Sequence, residues 1–118
     1  EVGGIDTAKP IEVKDKIREL LSWYNSLNNV TIDDIIEFHY RFECIHPFQD
    51  GNGRVGRLIM LKECLKHNLV PILITDEYKA FYYRGLKEWK YEKGYLLDTC
   101  LYGQDIFKKY LEYFNIKY

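Results

Sequence analysis

The residues from His46 to Arg57 concentrate the side chains from which phosphate chemistry is built. His46 is a titratable group near neutrality and a natural general base. Asp50 is a lone carboxylate just before Gly51-Asn52-Gly53. If a helix opens at that tripeptide, its first N–H groups are free and the positive end of its dipole faces outward. Glycines on both sides of Asn52 remove β-carbons, so a bulky anion can approach the backbone. The result is a nest for phosphate. Arg54 and Arg57 are three apart, which puts them on one helix face and extends the anion site beyond its first phosphate. A single carboxylate beside phosphates suits Mg²⁺, so Asp50 is the candidate metal ligand. Together these residues describe a site for transfer from a nucleoside triphosphate. The sequence has no G-x-x-x-x-G-K-[ST] and no G-x-G-x-x-G after a strand, so it is neither a P-loop nor a Rossmann protein.

Such a loop needs two helices to hold it. Thr31 is a good N-cap, and Ile35, Ile36, Phe38, His39, Phe42 and Ile45 repeat at helical spacing up to Pro47, which stops the helix. After the loop, the spacing predicts a helix from Gly53 or Arg54 to about His67-Asn68, with Val55, Leu58, Ile59, Leu61, Cys64 and Leu65 as its buried face. Upstream, Ile17, Leu20, Leu21 and Tyr24 predict a helix over about 11–26, with Pro10 in its first turn. Downstream, Leu69 to Ile74 reads as buried and extended, Thr75-Asp76 opens a helix to about Trp89, and Gly94 marks a break. A fifth helix is expected over 96–114, with Leu97, Leu101, Phe107, Tyr110, Leu111 and Phe114 making contacts. Five helices and little strand make an all-α domain.

Composition sets the outer bounds. A chain of 118 residues is one domain. With 17 basic and 18 acidic residues its formal charge is −1, so no global field holds nucleic acid or an anionic membrane, and neither is expected as a partner. A helix-turn-helix reading of the second and third helices fails because the loop between them is too long. The longest apolar run, Leu69–Ile74, contains Pro71 and falls far short of the about 20 residues a bilayer requires. The polar opening resembles no signal peptide. Cys44, Cys64 and Cys100 are odd in number and lack C-x-x-C spacing, which predicts free packing thiols in a reducing cytoplasm. His39 reads as a core residue, His67 as a solvated helix end, and Lys87 to Lys93 as a solvated helix end and loop. Most of the 11 tyrosines read as amphipathic core edges.

The stretch His46-Pro47-Phe48-Gln49-Asp50-Gly51-Asn52-Gly53-Arg54-Val55-Gly56-Arg57 resembles the Fic motif, H-P-F-x-[DE]-G-N-G-R-x-x-R, at every specified position. The resemblance extends to Leu20-Leu21…Trp23-Tyr24-Asn25, to His39 and Phe42, to Pro71-Ile72-Leu73-Ile74, and to Tyr82-Tyr83…Leu86. It covers roughly residues 1–90 and implies a Fic-type helical domain, with 1–118 as the C-terminal portion of its core. Because the chain starts at Glu1 rather than Met, it is read as an N-terminally truncated piece. Most Fic proteins transfer AMP from ATP to a Ser, Thr or Tyr hydroxyl of a target protein. The resemblance then makes His46 the base and Asp50 the Mg²⁺ ligand. Gly51, Asn52 and Gly53 form the nest, and Arg54 and Arg57 neutralise the β- and γ-phosphates. Val55 and Gly56 complete the nucleotide-binding segment, Phe48 anchors the loop in the core, and Tyr82, Tyr83 and Leu86 pack the base. Gly53 separates the chain from the Doc toxins, which carry lysine there and phosphorylate. Transfer of UMP, GMP or phosphocholine, and a non-catalytic nucleotide-binding module, are the alternatives. Residues 1–10 resemble the remnant of a flap that pairs with the target's backbone. The family's inhibitory [ST]-x-x-x-E-[GN] motif does not occur in 1–118, so inhibition is expected from another segment or a separate antitoxin.

Overall fold

The computed structural model describes residues 5–117. It has five α-helices: α1 (Val13–Asn25), α2 (Ile32–Ile45), α3 (Asn52–Lys66), α4 (Lys79–Glu88) and α5 (Gly94–Tyr113). Of the expected flap remnant over residues 1–10, residues 1–4 lie outside the described residues. Residues 6–9 lack regular structure, and the Ala8 N–H donates to the Cys44 carbonyl at 3.0 Å. None of the described helices is long and apolar enough to cross a membrane.

The central helix is α2. Thr31 caps it: its hydroxyl accepts from the Asp34 N–H at 3.3 Å while the Asp34 carboxylate accepts from the Thr31 N–H at 2.9 Å. Half of its residues are buried because it serves two cores. Ile35, Ile36 and Tyr40 enter one with Met60, Cys64, Ile72, Tyr82, Leu86, Trp89, Leu96 and Cys100. Phe38, Phe42 and Ile45 enter the other with Leu20 and Tyr24 of α1. Each fully buried Ile or Leu contributes about 1.5–3 kcal/mol of transfer free energy.

Polar ties fix the helices that flank α2. Glu63 of α3 is buried and accepts from the Tyr24 hydroxyl at 2.8 Å, joining α1 to α3. His67, expected to be solvated, is half-buried beside the same carboxylate, its Nε2 3.7 Å from Oε1. Glu37 of α2 accepts from Trp89 Nε1 at 3.3 Å and pairs with Lys93 at 3.5 Å; in the run 87–93 Trp89 is buried, while Lys87 and residues 90–93 are exposed, as expected of a solvated helix end and loop. The extended segment 69–74 is pinned on α5: the Leu73 N–H donates to the Gly103 carbonyl and Gln104 Nε2 to the Val70 carbonyl. Cys64 and Cys100 are buried and Cys44 half-buried, all three free. Burial pushes the Cys64 thiol up to about 11 and Cys100 to about 12, as befits packing residues.

Two expected faces differ. On α3, Leu58 is 63% and Leu65 59% exposed. Of the expected face Cys64 is buried and Val55, Ile59 and Leu61 are half-buried; the other buried positions are Asn52, Gly56, Met60 and Glu63, whose polar and glycine members carry no apolar signature. On α5 the buried residues are Leu96, Cys100 and Gly103, while Leu101, Tyr110 and Phe114 are exposed. Gly85 lets α4 and α5 nearly touch, for a β-carbon there would lie 2.7 Å from Leu96 Cα.

Candidate active site

The loop between α2 and α3 begins and ends in left-handed backbone. His46 closes α2 at φ 52°, with its N–H donating to the Phe42 carbonyl at 3.0 Å. A non-glycine residue in that region is held by its surroundings at a cost, a pattern common at functional sites. The residue is half-buried. Gly51 is the N-cap of α3 at φ 80°, where the absence of a β-carbon makes the conformation inexpensive.

Asn52 is what holds this loop in shape. Its buried side chain accepts from the Phe48 N–H at 2.8 Å and donates to the Phe48 carbonyl at 2.6 Å. Phe48, expected as the core anchor, is 48% exposed, with its ring 6.4 Å from that of Phe42. The clasp acts through its backbone and does not require its ring to be buried.

The start of α3 stays open. Asp50 Oδ1 accepts from the Gly51 N–H at 2.8 Å, and the Gly51 carbonyl takes the Val55 N–H at 2.9 Å as the first helical bond. No side-chain cap bond is made to this helix start, so the N–H groups of Asn52, Gly53 and Arg54 are the donors that helix geometry leaves over. The arginines lie over the glycines. A β-carbon on Gly51 would be 3.3 Å from Arg54 Nη2, and one on Gly53 would be 3.0 Å from Arg57 Nη1. Glycine at 51 and 53 thus lets both guanidinium groups fold back towards the open helix end. Arg54 and Asp50 are 3.9 Å apart and highly exposed, so their mutual attraction is weak and both remain available to a ligand. Arg57 is half-buried, 5.9 Å from the Tyr82 ring centre.

Several expected site residues lie elsewhere. Val55 is packed against the Leu20, Phe38 and Phe42 core, and Gly56 is buried against α2. Their side-chain positions therefore serve packing rather than the nest. Tyr82 is 1% and Leu86 2% exposed, so in this arrangement neither offers a face to a nucleobase. Of that trio only Tyr83 is accessible. Tyr82 bonds instead to His39 Nε2. Burial lowers His39 to about 4, and the Arg57 charge acts in the same direction. His39 is therefore a neutral core residue at pH 7, and burial likewise pushes the Tyr82 phenol up. Sequence reasoning passed over Glu43, whose buried Oε1 lies against Gly56. A lone acid among Phe42, Cys44 and Ile45 was the available signal.

The model of the Fic/DOC family matches residues 1–64, which include the whole loop. The chain belongs to the Fic/DOC family. This Fic domain is 32% identical over 88 residues to protein adenylyltransferase fic-1 of Caenorhabditis elegans, covering 72% of the chain and 17% of that protein. A probable protein adenylyltransferase of Aquifex aeolicus is 38% identical over 82 residues, covering 67% of the chain and 24% of its own length. Protein adenylyltransferase Fic of Drosophila melanogaster is 32% identical over 89 residues, covering 73% and 18%. The Fic domain here thus spans between 17% and 24% of the length of these curated relatives.

Proposed function

We propose that this Fic domain transfers AMP from ATP to a Ser, Thr or Tyr hydroxyl of a target protein. The observation that carries the reading is the open N-terminus of α3. Its uncapped N–H groups are flanked by Arg54 and Arg57, each lying over a glycine, and a half-buried histidine opens the same short loop. Backbone donors, a helix dipole and two guanidinium groups form a preorganised cradle for a triphosphate. The relatives' names, protein adenylyltransferase, support the same chemistry.

In the reaction the target oxygen attacks the α-phosphorus and its proton passes to His46. The bond from the α-phosphorus to the bridging oxygen breaks, and pyrophosphate leaves with that oxygen and the electron pair. The first step requires an imidazole whose acceptor nitrogen is free of a proton. Arg54 and Arg57 stabilise the charge that collects on the departing phosphates, and the nest holds the chain of phosphates in line. Asp50 fits a Mg²⁺ ligand: one oxygen is fixed by the Gly51 N–H, while the other has only Arg54 nearby, at 3.9 Å. When bound there, Mg²⁺ would neutralise charge on the phosphates. Tyr83 is the accessible candidate for packing the base, and residues 1–10 are the candidate for the target-binding flap.

The test uses the full-length protein and ATP tagged on its adenosine, beside CTP, GTP and UTP. Labelling of a protein substrate is expected from ATP, and His46→Ala is expected to abolish it while ATP still binds. Equal labelling by His46→Ala would refute the base assignment. Label from another nucleotide in preference to ATP would replace AMP as the transferred group.

A further inference from the structure

Beneath the nest lies a charged side chain to which the proposed reaction gives no role. Glu43 is on α2, one turn before His46. Its Oε1 is buried and has no hydrogen-bond partner among the described residues. Such an atom is costly, so its retention calls for an electrostatic reason. The carboxylate occupies a notch that exists only because residue 56 is glycine. A β-carbon on Gly56 would sit 2.4 Å from Glu43 Oε1, with His39 Cε1 and Phe42 Cδ1 each at 3.2 Å. The next residue along α3 is Arg57. Its guanidinium already has two sides defined, the bare face of Gly53 and the ring of Tyr82. Burial pushes the Glu43 carboxyl up, and the positive charge of Arg57 acts in the opposite direction. Both act on the Tyr82 phenol lying among them.

We propose that Glu43 is a positioning residue for Arg57: its carboxylate, seated in the notch left by Gly56, supplies the counter-charge that keeps the guanidinium folded over Gly53 at the mouth of the nest. Volume alone does not require an acid here, since an amide would fill the notch equally well. The charge is the feature that the arrangement explains. The inference deepens the proposed function and rests on it for its kinetic readout, but not for its spectroscopic one.

The experiment compares wild type, Glu43→Gln, Gly56→Ala and Arg57→Ala in the full-length protein. The side-chain Nε–H signal of Arg57 is followed by ¹⁵N NMR, with and without inorganic triphosphate, and kcat and KM for AMP transfer are measured alongside. Glu43→Gln is expected to shift and broaden the Arg57 signal in the free protein. It is also expected to lower kcat about tenfold or more, as misplacement of a charge-stabilising group does. That loss should vanish in the Arg57→Ala background. Gly56→Ala should reproduce both effects, because its methyl group displaces the carboxylate. Should Glu43→Gln not fold, Glu43→Asp carries the same comparison, since it draws the charge back by one methylene and must move the Arg57 signal. An unchanged Arg57 signal, or a kcat loss of equal size with and without Arg57, overturns the proposal. If the wild type transfers no AMP, the proposed function fails while the Arg57 signal still decides the role of Glu43.

Discussion

Gly51 and Gly53 look equivalent in the motif, yet physics assigns them different tasks. Gly51 sits at φ 80°, so Gly51→Ala is expected to destabilise the fold by about 1–2 kcal/mol, the usual cost of a β-carbon in left-handed backbone. Gly53 lies within the first turn of α3, where alanine is the better helix former. There the β-carbon meets only the mobile end of Arg57, at 3.0 Å. Gly53→Ala should leave the thermal midpoint unchanged or slightly raised while weakening ATP binding, as calorimetry would show. A fall in stability matching that of Gly51→Ala would contradict this division. Asn52 presents the converse case, a buried polar side chain used wholly for architecture. Asn52→Ala leaves the Phe48 N–H and carbonyl without their partners, and its expected cost is about 1–3 kcal/mol by urea unfolding. The same substitution should raise KM for ATP, because the loop that sets the nest is no longer clasped.

At the scale of elements, the site depends on how closely α2 and α3 approach, and the rest of the chain supports that pair. The Thr31 capping box sets where α2 begins, and Thr31→Ala is expected to cost about 1 kcal/mol. Away from the site, Gly85 brings α4 onto α5, with Leu96 backbone 2.7 Å from where a β-carbon would stand. Backbone cannot move aside as a side-chain tip can, so Gly85→Ala should destabilise by about 1–3 kcal/mol. Its affinity for inorganic triphosphate, measured below the unfolding transition, should stay at the wild-type value, since α4 and α5 contribute no residue to the nest. A large loss of affinity in Gly85→Ala would show that this helix pair and the loop are coupled.

For the whole molecule, acid sensitivity should be centred on His39. Its value falls from 6.5 to about 4 on folding because burial disfavours the charged ring. Between those values the unfolded chain binds a proton that the folded chain refuses, so stability falls as pH drops. The contribution is complete above pH 6.5, and about 3 kcal/mol of it is lost on acidification from pH 7 to pH 4. His39→Gln, which keeps a partner for the Tyr82 hydroxyl, should flatten that limb of the stability curve in urea unfolding. An unchanged acid limb would place the sensitivity elsewhere. His39 also shows where the sequence was legible. Its place in an apolar helical repeat marked it as a core residue without coordinates, and the Thr31 and Pro47 signals placed both ends of α2. Local chemistry was sufficient there because caps, prolines and helical periodicity act within a few residues of chain. The loop motif was legible for the same reason, and it carried the family. What the sequence could not decide was which neighbour each helix face would meet. Nothing local distinguishes Tyr82, in the core, from Tyr83, in solvent, or makes Leu58 exposed and Gly56 buried. Those outcomes follow from the close approach of α3 to α2 and of α4 to α5, contacts between residues distant in the chain. Only the folded structure brings them together, and with them the Glu43 carboxylate against Gly56.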